Sequence, residues 1–90
     1  MPHTAKNKDK LLARIRRLQG QLGAVASSLE NGDECYVVLQ TLASARGALQ
    51  GLVGDIVEGH IRDHVVAAKT AKDASEAGEQ TIEIMKSFWR

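Results

Sequence analysis

Aromatic residues are almost absent from this chain: Tyr36, Phe88 and Trp89 are the only three in 90 residues. A core cannot then be built on rings, and burial falls to Leu, Ile, Val and Ala, the residues that line helix seams; all-α architecture is favoured before any pattern is read. Cysteine occurs once, at Cys35, which excludes an intramolecular disulfide and leaves a thiol for metal or electrophile chemistry. No apolar run approaches the ~20 residues of a membrane span. The stretch MPHTAKNKDK lacks the apolar core of a secretory signal, so the expectation is a cytoplasmic protein with no membrane partner.

What the chain does have is an uneven distribution of charge. Its net charge of +1 hides Lys6, Lys8, Lys10, Arg14, Arg16 and Arg17 against Asp9 alone in the first 17 residues, a segment of +5 on a remainder of −4. A basic strip on an otherwise acidic protein points to a polyanion partner. Lys10, Arg14 and Arg17, spaced i, i+4, i+7, fall on one helical face and form the candidate contact to double-stranded DNA. No helix-turn-helix or zinc-finger signature is visible and aromatics are too few for base stacking, so recognition is expected to rest on phosphates and DNA shape.

Hydrophobic periodicity gives three helices and no strand. Leu11, Ile15, Leu18, Leu22, Val25 and Leu29 follow spacings of 4 and 3, a heptad seam that predicts a first helix over about residues 5–30 with Thr4 as its N-cap. Asn31-Gly32 ends it, and Asp33 is placed to cap the next helix. Cys35, Val38, Leu42, Ala45, Leu49, Leu52 and Ile56 predict a second helix from about 34 to the Val65–Ala68 region, roughly 50 Å long. Val37, Leu39, Val53 and Val57 add a further apolar stripe that one small chain cannot cover, so self-association is expected. Residues 69–79 read as a polar linker into a third helix over about 74–88, with Ile82, Met85 and Trp89 on one side. Ninety residues allow one domain, spanning 1–90, near the size at which a lone core is thin.

His60 and His64, in GHIRDH, stand one helical turn apart. Cys35 lies 25 residues from His60, roughly 37 Å along one helix. The two can meet only if the second helix pairs antiparallel with its copy about a two-fold axis. The crossing then falls between Gly47 and Ala48, in the small-residue stretch ARGALQG where helices can approach closely. Because the first two helices form a hairpin, His3 is expected near His60 as well. The composite site is His3, His60 and His64 of one chain with Cys35 of another. One thiolate and several imidazoles suit Ni, Co, Zn or Cu(II), whereas Cu(I) prefers more sulfur.

Through MPHT, RIRRLQGQL, LENGDEC, LQTLASARGALQGLV and EGHIRDH the chain resembles the copper-sensitive operon repressor family, which includes nickel/cobalt-responsive and formaldehyde-responsive members. The resemblance implies a three-helix subunit, a dimer of antiparallel hairpins and a disc-shaped homotetramer that holds operator DNA until an effector occupies the interface site. It also implies that Arg46 adds to the DNA surface, although a salt bridge between subunits is a second reading of that residue. Nickel/cobalt sensors resemble this chain at His3, Cys35, His60 and His64, and formaldehyde sensors resemble it at Pro2 and Cys35, where amine and thiol could be bridged by one methylene. His64 favours the metal, Pro2 the aldehyde, and the balance falls to nickel or cobalt. Two other classes stand as rivals: a metal-binding protein without DNA binding, and an enzyme using a Cys–His pair, for which no oxyanion or phosphate loop is present.

Overall fold

A computed structural model describes residues 3–89, with side chains from residue 5 onward. Its elements are α1 (His3–Lys6), α2 (Lys8–Glu30), α3 (Cys35–Ile61), a π-helical turn (Arg62–Val66) and α4 (Ala71–Phe88). The described residues hold no strand, and the three long helices match the all-α expectation. No helix is long and apolar enough to cross a membrane. The chain divides into two compact units, one of residues 7–53 and one of residues 54–90 with 1–6.

The first unit is a hairpin of α2 with residues 35–53 of α3. The predicted first helix is interrupted: at Asn7 the backbone leaves helical geometry (φ −104°, ψ 17°), and Thr4 lies inside α1 rather than capping it. Asn favours such local departures because its side chain competes for nearby backbone groups. At the other end Gly32 takes φ 68°. Gly32 N–H donates to Leu29 O at 3.2 Å and Asp33 N–H to Ser28 O at 3.0 Å, a Schellman ending. The Asp33 carboxylate does not cap α3 as predicted; it accepts from Ser28 Oγ at 2.7 Å and ties the turn back to α2.

Packing within the hairpin differs from the predicted seam by one flank. On α2, Leu11, Leu18 and Val25 are half-buried or buried as expected, but their inward neighbours are Arg14, Gln21 and Ser28. Ile15, Leu22 and Leu29 remain 36, 51 and 63% exposed. On α3 the inward residues are Val38, Thr41, Ala45, Ala48 and Leu52, while Cys35, Leu42 and Leu49 are exposed. Gln21 Nε2 donates to Ser44 Oγ at 3.2 Å, and Arg14 Nη2 lies 2.9 Å from where a Cβ on Gly51 would be. The step from Arg14 to Gln21 along α2 answers the step from Gly51 back to Ser44 along α3, the register of an antiparallel pair. The reason for the offset is that polar side chains on this flank find partners across the hairpin, whereas the leucine flanks, on the opposite side of the same pair, have none within it. Among the glycines of α3 only Gly51 meets a neighbour; a Cβ at Gly47 or Gly54 would meet nothing within 4 Å.

In the second unit α4 begins three residues earlier than predicted. Thr70 is extended (φ −132°, ψ 155°) and its hydroxyl accepts from Asp73 N–H at 3.1 Å, an N-cap that recruits most of the supposed linker into the helix. The buried face of α4 consists of small residues, Ala77 and Thr81, the latter donating its hydroxyl to Ala77 O at 2.8 Å. Ile82, Met85, Phe88 and Trp89 point outward. The end of the long helix also departs from expectation: it closes in a π-turn, with Ala67 N–H donating to Arg62 O at 3.0 Å.

Two stability measurements check these assignments. Thr70→Ala is expected to cost about 1 kcal/mol in urea unfolding at fixed protein concentration, most of it recovered in Thr70→Ser. Gly51→Ala presses on the tip of a flexible guanidinium rather than on backbone, so the ~1 kcal/mol gain in helix propensity dominates and stability rises or stays level while Arg14 moves off α3. A loss above about 1 kcal/mol would show instead that Arg14 is rigidly fixed there.

Candidate functional site

The histidine pair is assembled within the second unit. His60 occupies the last turn of α3 and is half-buried; His64 sits inside the π-turn and is exposed. Their ring centroids are 4.8 Å apart with the planes tilted by 49°. That is close enough for one nitrogen of each ring to ligate a single divalent ion at about 2.0–2.1 Å. The neighbouring carboxylate of Glu58 is engaged elsewhere, accepting from Arg62 Nε at 3.2 Å and Nη2 at 3.0 Å on the exposed helix surface. Beneath His60 a half-open pocket of about 220 Å³ is lined by Ile56, Val57, Gln80, Thr81 and Ile84. His60 therefore has an apolar recess on one side and the solvent-facing His64 on the other.

Of the four predicted ligands, His60 and His64 are brought together. Cys35 is the first residue of α3 and exposed, and it belongs to the hairpin unit. The side chain of His3, and Pro2 altogether, lie outside the described residues. Among the described residues of one chain no cluster of three His, Cys, Asp or Glu side chains forms. The donor chemistry nevertheless suits a borderline divalent ion. Two imidazoles supply half of a tetrahedral shell, leaving the remaining positions to donors from elsewhere.

The basic residues divide in a way their spacing does not foretell. Lys10 and Arg17 are exposed on α2 and Arg46 is exposed on α3, whereas Arg14 is half-buried with its guanidinium laid over Gly51. Arg14 is thus a seam residue as well as a member of the basic stripe. Its position three residues from Leu11 and four from Leu18 is the signal for that second role. Gln80 and Thr81 share the pocket with His60, and the sequence conceals them: a polar composition over residues 71–79 reads as linker and leaves the phase of α4 undetermined.

Comparison with known proteins adds identity to this geometry. Residues 7–88 match the family described as metal-sensitive transcriptional repressor. A Serratia marcescens protein, described as an uncharacterized protein in the bioA 5' region, is 42% identical over 91 residues, covering 100% of each chain. The transcriptional repressor RcnR of Citrobacter koseri is 34% identical, with 98% of each chain covered. Among solved structures, a histidine-for-glutamate variant of the formaldehyde-responsive regulator FrmR from Salmonella enterica serovar Typhimurium superposes with a TM-score of 0.85 at 33% identity, covering 97% of this chain and 99% of that one. With a family match over nearly its whole length and relatives that regulate transcription rather than catalyse reactions, the chain belongs to the metal-sensitive transcriptional repressor family.

Proposed function

We propose that this protein is a cytoplasmic operator-binding repressor that releases DNA when a nickel- or cobalt-type ion is held by His3, His60 and His64 of one protomer and Cys35 of a second. The observation that carries the reading is the pairing of His60 and His64 at 4.8 Å, two imidazoles set for a common ion but short of a full shell. Cys35 supports the intersubunit half of the site because it lies on the same exposed flank of α3 as Leu42 and Leu49. A second hairpin covering that flank, together with Ile15, Leu22 and Leu29 of α2, buries the leucines and brings a foreign histidine pair within reach of the thiol. Zinc would satisfy the same donors.

Lys10, Arg14 and Arg17, with Arg46, are proposed to face the phosphates, multiplied by assembly as a dimer or tetramer. The whole of 1–90 acts as one sensing and DNA-binding domain in this reading. A formaldehyde-responsive repressor using Pro2 and Cys35 is the second reading, favoured by the structural likeness to a formaldehyde-responsive regulator. It gives His64 no task, which is why the metal is preferred.

Three measurements test these statements. Leu22→Glu, placing a charge on the exposed flank, is expected to leave the helical circular dichroism signal intact and reduce the protein to monomers by sedimentation; an unchanged oligomer would remove that flank from the interface. Arg17→Ala is expected to weaken operator binding and lower its salt slope by about one unit for each phosphate no longer neutralised, with nickel binding unaffected. For the effector, Cys35→Ala abolishes either response. His64→Ala loses nickel-driven DNA release while Pro2→Ala keeps it. Release driven by formaldehyde that survives His64→Ala and fails in Pro2→Ala would assign the aldehyde instead.

A further inference from the structure

The π-turn at Arg62–Val66 stands between the histidines and the last helix. His60 precedes it on regular α-helix and His64 lies inside it, so the pair straddles the change from one backbone geometry to the other. The hydrogen bond from Ala67 N–H to Arg62 O, at 3.0 Å, spans five residues where an α-helix spans four. Such turns are rare and concentrate at functional positions, because the extra residue is a standing departure from the preferred geometry. α4 packs against this segment. The same helix supplies Gln80, Thr81 and Ile84 to the pocket whose other wall is Ile56, Val57 and His60. Closing the π-turn into α-helix would rotate everything beyond it by about 100° and advance it by ~1.5 Å. Val65, half-buried, would then lose its place to Val66, which is 76% exposed.

We propose that this π-turn is the conformational element through which an effector held at His60 and His64 repositions α4. The inference rests on the reading of the histidines as effector ligands. A ligand gripping both rings interacts differently with the wide and the narrow turn, and that difference in free energy is what can shift their populations. α4, seated on the turn and on His60, moves with whichever geometry is favoured.

Hydrogen exchange by nuclear magnetic resonance on the full-length protein, with and without Ni(II), is the test. Ni(II) is expected to change the exchange rate of the Ala67 amide at least tenfold and to shift protection along residues 77–85 of α4. Deleting Val66 removes the extra residue at an exposed position. That variant, checked for folding by circular dichroism, is expected to bind Ni(II) within about threefold of the parent while its α4 amides no longer respond. Ni(II) binding with unchanged exchange at Ala67, or an α4 response that persists in the deletion variant, overturns the π-turn proposal and leaves the metal reading standing. Absence of Ni(II) binding to the parent overturns both. Should the deletion variant not fold, the exchange measurement on the parent decides alone.

Discussion

An antiparallel helix hairpin can bury only one stripe of each helix, and in this chain the buried stripe is bordered by polar residues on one side and leucines on the other. Arg14, Gln21 and Ser28 close the hairpin against Gly51, Ser44 and the Asp33 turn. Ile15, Leu22, Leu29, Leu42 and Leu49 are thereby left facing outward. The rest of the assembly is governed by that choice of flank. Only Val25, Ala45, Leu52 and Ala77 count as buried apolar residues, far too few to stabilise a 90-residue monomer on burial alone. At about 1.5–3 kcal/mol for fully burying a leucine or isoleucine side chain, covering even part of the exposed flank would dominate the energetics of the fold.

The same division bears on the proposed function. Cys35 belongs to the leucine flank and Arg14 to the polar one, so the surface that would meet a second protomer and the surface that carries basic charge lie on opposite sides of one helix pair. Arg14 takes part in both hairpin closure and the basic stripe, and a shift of α3 beneath its guanidinium would be felt directly among the residues proposed to face DNA. The histidines sit at the far end of α3, where the backbone itself changes geometry.

Much of this is legible in the sequence because a helix declares itself through period. The spacing of 3 and 4 in Leu11, Leu18 and Val25 and in Val38, Ala45 and Leu52 locates the centre of each seam correctly. Period does not say which neighbouring flank turns inward, since 14/21/28 and 15/22/29 satisfy it equally; that depends on hydrogen bonds such as Gln21–Ser44 that exist only across the hairpin. The start of α4 has a local signal, Thr70 three residues before Asp73, concealed by a polar composition that resembles a linker. The π-turn has none, because no short residue pattern distinguishes a five-residue from a four-residue hydrogen bond. His60 and His64 are readable as a pair from their spacing alone, whereas Gln80 and Thr81 become their neighbours only through packing.

Trp89, the sole tryptophan, closes α4 in an outward-facing position, 54% exposed and edge-on to Phe88 with ring centroids 5.9 Å apart. An indole so placed experiences water on one side and a single ring on the other. Its emission is consequently a native optical gauge of solvent access at the end of α4, with no second tryptophan to blur the signal. The chain carries its own spectroscopic label at the tip of the helix that rests on the histidine-bearing turn.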